Sequence, residues 1–194
     1  MQSDDSAITQ LNSAVCGVFP STPIATPGGW VRADQLRAMD RVLTVGAAPQ
    51  PIQSVSRQSC RAAINLPIAA LGNRIAVALP AAEHVLLASD FAVPMCGAAM
   101  VLVPIAACVG WRGVSIVHST VAQQLRLTLV EPDLIYAGHG LILACPGKPT
   151  AAGGAHVDAR PPPFSSLSIA TARQLIACLM AYDLGRALGN HAAR

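Results

Sequence analysis

Thiols and imidazoles are the side chains of this sequence best suited to covalent chemistry, and their spacing limits what they can do. Six cysteines stand at positions 16, 60, 96, 108, 145 and 178, and no two of them form a Cys-x-x-Cys pair. None has zinc-finger spacing to a histidine, so no metal site is expected from the pattern. Cysteines scattered in this way usually act as small buried hydrophobes, with a disulfide framework as the alternative. Of the histidines, His118 and His139 lie near the ends of strand candidates, where a structural or surface role is expected. A cysteine hydrolase acting on external substrates would need a Cys–His pair in an open pocket with an orienting Asn or Asp. No local signature of such an enzyme is present.

The elements that would position these groups are short and β-like. The chain has 194 residues, 53% hydrophobic and 12% charged, enough apolar content to bury a core. Fifteen glycines and fifteen prolines cut it into short segments, as an all-β protein with many turns requires. The net charge of +3 comes from scattered arginines, with Lys148 the only lysine. No basic run interleaved with aromatics points to a nucleic-acid partner. The opening MQSDDSAITQ lacks a charged stretch followed by an apolar core, so it does not read as a conventional signal peptide. A protein in solution is expected, cytoplasmic or secreted without such a signal. Phe91 to Trp111 is uncharged for 21 residues, the length of a membrane span. Pro94 and Pro104 would each break such a helix, so two buried strands around a turn are expected and an integral membrane protein is not.

Four regions follow. Residues 1–15 read as a flexible polar leader, 16–147 as the β-rich domain, 148–166 as a Gly/Pro/Ala-rich linker and 167–190 as an amphipathic helix. Within the domain, apolar runs recur about every ten residues, as in a sandwich or barrel-like fold. Candidates include Thr22–Thr26, Arg41–Val45, Ile52–Ser56, Arg74–Ala78, His84–Ala88 and Met100–Val103. Ser115–Val117, Leu125–Leu129 and Leu134–Ala137 complete the set. In the terminal helix Ser168 suits the N-cap, Ile169, Ala172, Ile176, Leu179 and Met180 share a face, and Gly189-Asn190 suits a stop. Packing back on its own domain is the expectation for that face, with a protein partner as the alternative.

An ordered set of motifs resembles the bacterial Hint domains, the fold of hedgehog autoprocessing domains and inteins. Phe19 to Gly29, FPSTPIATPGG, resembles the family's Gly-Thr, Ile-x-Thr and Pro-x-Gly opening. Val31, Leu36, Met39-Asp40 and Arg41-Val42-Leu43-Thr44 follow in order, then Pro49-Gln50-Pro51-Ile52 and Arg57. Ala70-Leu71-Gly72-Asn73, the segment PAAEHVLL from Pro80 to Leu87, and Val101-Leu102-Val103-Pro104-Ile105 continue the series. Leu134-Ile135-Tyr136-Ala137 with Gly140 is similar to the last strand pair. The resemblance implies an all-β Hint-type fold over about residues 16–147, with the C-terminal helix beyond it.

It also implies a reaction whose substrate is the protein's own polypeptide. A cysteine thiolate attacks the carbonyl before it, and the peptide bond becomes a thioester in an N-to-S acyl shift. A histidine protonates the departing amide nitrogen, donors steady the oxyanion, and no cofactor is needed. On this sequence the resemblance makes Cys16 the nucleophile, Val15–Cys16 the scissile bond and His84 the general acid. Glu83 reads as a solvated neighbour of His84. Counted back from Ile24, the family's cysteine position falls on Gly17, one residue after Cys16, and one residue of slip turns a strand side chain to the opposite face. Where the family has a further histidine, the chain has Glu131-Pro132-Asp133. Asp133 is a weak alternative base, and Asn190-His191 reverses the His-Asn order of splicing inteins. Two readings stay open: cysteine-dependent self-cleavage, and a non-catalytic Hint-fold module for binding or secretion.

Overall fold

The structure, a computed structural model, describes residues 17–46, 48–147 and 164–192. Among the described residues twelve strands form two sheets around a main core and a smaller cluster of Leu102, Leu134, Ala144 and Phe164, and the helix Ile169–Ala192 follows them. The expected all-β body with a C-terminal helix is therefore present. The first sheet runs β1 (Gly17–Val18), β9 (Ser115–Leu129), β5 (Gln50–Leu66) and β4 (Arg41–Val42), with β6 (Val77–Pro80) also paired to β5. The second runs β12 (Ser165–Ser166), β8 (Met100–Pro104), β7 (His84–Ala88), β11 (Leu141–Cys145), β10 (Asp133–Ala137), β2 (Pro23–Thr26) and β3 (Gly29–Arg32).

The core draws on both sheets and the helix. Val18, Ile52, Ile64, Leu79 and Leu127 meet Ile24, Val85, Val103, Ile135 and Leu143, and Ala172, Leu175 and Ile176 complete it from the helix. Strands read as apolar without alternation are buried on both faces, as Val101-Leu102-Val103 is. The turn Pro27-Gly28 closes the β2–β3 hairpin. There Thr26 Oγ1 accepts from the Gly28 N–H at 3.2 Å and donates to the Gly29 carbonyl at 2.7 Å, and Gly29 adopts φ +114°, open to glycine without strain.

Four local expectations change. Ile52–Ser56 and Leu125–Leu129 prove to be parts of two long strands of 17 and 15 residues, paired from Ile52↔Leu129 to Asn65↔Ser115. The middle of β5 is polar and exposed, so apolar patterning did not extend it; ladder hydrogen bonds did. Phe91–Trp111 holds one strand rather than two. Pro94 starts a helical turn, Gly97 ends it in the left-handed region at φ 75°, and Pro104 leads into a 3-10 turn at Ile105–Cys108. The region read as linker is ordered at its end, because Phe164 is buried and Ser165–Ser166 pairs in parallel with Val101–Leu102. The helix continues through Gly189-Asn190 to Ala192; one glycine costs a helix only about 1 kcal/mol and does not force a stop.

The helix does pack on its own domain. Ser168 Oγ accepts from the Thr171 N–H at 3.1 Å, the expected cap. Further along, Asp183 accepts from Trp111 Nε1 at 3.0 Å and from Arg112 Nε at 2.8 Å. Among the described residues no helix is long and apolar enough to cross a membrane.

Candidate functional site

The site is built where the chain enters the first sheet. Cys16 lies outside the described residues; Gly17, the next residue, is buried at the start of β1, opposite Arg126 on β9. Its N–H donates to Glu83 Oε2 at 2.7 Å, a contact between residues 66 apart in sequence. Glu83 sits in the turn between β6 and β7. The other oxygen, Oε1, accepts from the His84 N–H at 2.9 Å. The backbone of Glu83 is equally engaged: its N–H donates to the Pro80 carbonyl at 3.0 Å and its carbonyl accepts from the Ile105 N–H at 2.8 Å. One residue thus joins β1, the end of β6, the start of β7 and the turn after β8.

Glu83 is 1% exposed, so it is not the solvated neighbour expected from sequence. Strand alternation explains the difference. Side chains two apart share a face; Val85 faces the core at 1% exposure, and Glu83, two residues earlier, faces it too, while His84 between them is only partly buried. Burial pushes the Glu83 carboxyl well above the usual carboxylate range, against the opposing pull of the His84 and Gly17 N–H donors. Burial also lowers the His84 imidazole, with the Ala82 backbone carbonyl partly offsetting it. Nδ1 of His84 is buried and has no hydrogen-bond partner among the described residues.

The side chain meeting the entry strand belongs to Glu83 and not to His84, and the residue it meets is Gly17, directly after Cys16. Position 17 has little room for more than glycine. A Cβ there would lie 2.9 Å from Gln124 Oε1 and 3.3 Å from Pro80 Cγ, and Gln124 is itself buried at 8% exposure.

The remaining candidates are placed apart from this junction. Asp133 opens β10; its Oδ1 accepts from the Leu134 N–H at 2.7 Å and its Oδ2 from Gln50 Nε2 at 2.9 Å, which ties it to the start of β5. Pro132 packs against Gly147, with no space between them for a side chain. His139, at φ 54°, stacks on Trp30 with ring centroids 4.2 Å apart. His118 lies on β9 and Asn190-His191 in the last turn of the helix. Cys60, Cys96, Cys108, Cys145 and Cys178 are free thiols. Burial raises the Cys108 thiol to about 12, which leaves it inert near neutral pH. The open cleft of about 430 Å³ beside Leu36–Ala38 and Gln53–Arg57 contains no cysteine or histidine.

No protein-family model matches the chain, and no curated protein matches it. Among solved structures it is similar to a bacterial intein-like domain from Clostridium thermocellum, at 9% identity, covering 66% of this chain and 97% of that one with a TM-score of 0.46. It is also similar to the MchDnaB-1 intein, at 15% identity, 66% and 98% coverage and a TM-score of 0.44. A DnaB intein from Synechocystis sp. PCC 6803 stands alongside, at 15% identity, 66% and 97% coverage and a TM-score of 0.43. These belong to the class that the ordered sequence motifs resemble.

Proposed function

We propose that this chain is a divergent Hint-type domain in which the self-processing centre has become a structural junction. The observation that carries the reading is the 2.7 Å hydrogen bond from the buried Gly17 N–H to Glu83. An N-to-S acyl shift needs a thiol on the residue that enters the sheet, and a proton delivered to that residue's amide nitrogen. Here the register counted back from Ile24 puts a glycine at that position, crowded by Gln124 and Pro80. Its N–H donates to the Glu83 carboxyl, so the nitrogen is held by that carboxyl rather than by a histidine. The ordered motifs from Phe19 to Gly140 support the family reading, and the exchange of cysteine for glycine in register supports the loss of chemistry.

The second reading is cleavage of Val15–Cys16 by the Cys16 thiolate, the chain acting on its own polypeptide without a cofactor. What favours it is the His84 imidazole, whose cation burial disfavours, so that the neutral ring, its Nδ1 unpartnered among the described residues, is available as a base. In that reading the neutral His84 imidazole takes the Cys16 thiol proton, the sulfur bonds to the Val15 carbonyl carbon, the carbon–nitrogen bond breaks, and His84 returns that proton to the freed Cys16 amine.

The intact mass of the full chain separates the two. After incubation with a thiol or hydroxylamine the mass is expected to stay unchanged. Loss of residues 1–15, abolished by Cys16→Ala, would establish the second reading and overturn the first.

A further inference from the structure

We propose that Glu83 is a proton-operated latch on the entry strand, holding β1 closed in its neutral form and releasing it on ionisation. The geometry is that of a clasp. Among the described residues β1 is Gly17–Val18 and pairs with β9 alone, at the edge of its sheet. Across its other side the Glu83 carboxyl reaches the Gly17 N–H, so the carboxyl ties the edge strand to the β6–β7 turn.

The surroundings of the carboxyl decide how it responds to pH. β1 contributes Gly17 and Val18, neither of them titratable. β6 contributes Pro80 and the 3-10 turn after β8 contributes the Ile105 N–H, which bonds the backbone only. β9 brings the neutral amide of Gln124 to Gly17; Arg126, opposite Gly17, is not among the influences on the carboxyl. On β7 the His84 imidazole is itself disfavoured as a cation by burial. Among the described residues no positive charge balances an ionised Glu83.

A buried, unbalanced carboxylate has two ways to lower its free energy: bind a proton, or move to water. Below its raised pKa the group takes the first, and β1 stays docked. Above it, the carboxylate reaches water only by giving up Gly17, because the backbone of Glu83 is fixed by Pro80 and Ile105. Rising pH then opens the junction around residue 17. The latch does not depend on the Hint reading, since its parts are a strand, a turn and one carboxyl.

The test is amide exchange of the full wild-type chain between pH 5 and 9, corrected for intrinsic chemical exchange. Protection of Gly17 and Val18 is expected to fall by about tenfold per pH unit above the Glu83 pKa, while the β10–β11 hairpin stays constant. A carbon-13 titration of the Glu83 carboxyl is expected to show its inflection above the ordinary glutamate range, coincident with the loss of protection. In Glu83→Gln the protection of β1 is expected to be independent of pH. Parallel pH courses for β1 and the β10–β11 hairpin in the wild type would overturn the latch, as would a carboxyl that titrates at or below the ordinary range. The carboxyl titration keeps the test decisive even where Glu83→Gln fails to fold, and the mass experiment on Cys16 is independent of all three measurements.

Discussion

Two carboxylates tether the two ends of the described chain to the β body, and they do so in opposite ways. Glu83 holds the entry strand from a position 1% exposed, on two backbone N–H donors and with no cation. Asp183 holds the C-terminal helix with its side chain 32% exposed, on the Arg112 guanidinium and the Trp111 indole. Burial pushes the first carboxyl up; the hydrogen bonds from Arg112 and Trp111 hold the second below the usual range. A buried carboxyl among backbone donors is sensitive to its own charge, whereas a surface carboxyl beside arginine is screened by water and tolerant of change. The N-terminal tether is therefore the one that can respond to conditions, and the C-terminal tether is a constant one.

The comparison can be broken most forcefully at Glu83. Glu83→Ala leaves the Gly17 and His84 N–H groups buried without acceptors, and a loss of about 2–4 kcal/mol in urea unfolding is expected. A loss below that of a surface substitution would show that water replaces the carboxyl freely. Next in size is Gly17→Cys, which puts a thiol in the register of the family's nucleophile. The clash with Gln124 is expected to cost about 1–3 kcal/mol, and Gln124→Ala to restore part of it; unchanged stability would mean that the position is open. Asp183→Asn should cost less than about 1 kcal/mol, because exposed ion pairs contribute little.

Stability against pH sharpens the same contrast, since the signs are opposed. Glu83 has a raised folded-state pKa, so its contribution is full below the unfolded-state value and is lost as pH rises toward the folded value. Asp183 has a lowered one, so its contribution is present above the unfolded-state value and is lost as pH falls through the folded value. Unfolding curves of Glu83→Gln and Asp183→Asn, each subtracted from wild type, should diverge at opposite ends of the pH range. Differences running in the same direction would end the distinction between the two tethers.

The fold class was readable because hydrophobic runs and turn residues are local signals. Pro27-Gly28 between two apolar runs and Val101-Leu102-Val103 appear where their patterns put them, while the helix buries Ala172 and Ile176 of its expected face, adds Leu175 and leaves Ile169 and Met180 exposed. The Gly17–Glu83 junction was not singled out by the motifs. Motif matching pointed to the segments at β1 and at the turn before β7, and within them it favoured Cys16, which lies outside the described residues, and His84, because those side chains are reactive. The signal for Glu83 was present as the two-residue step to Val85, and it was outweighed by the general rule that glutamates face solvent.

By itself the sequence determined that the chain folds as a β-rich body with a terminal helix, and which segments carry its candidate chemistry. Periodicity, turn residues and motif order are properties of neighbours along the chain. Tertiary structure alone decided that Gly17 and Glu83, 66 residues apart, share a buried hydrogen bond, that β5 and β9 extend through polar stretches, and that Asp183 finds Arg112. Register and burial arise when distant strands pair, and one residue of register determines whether a thiol, an imidazole or a carboxyl faces the junction.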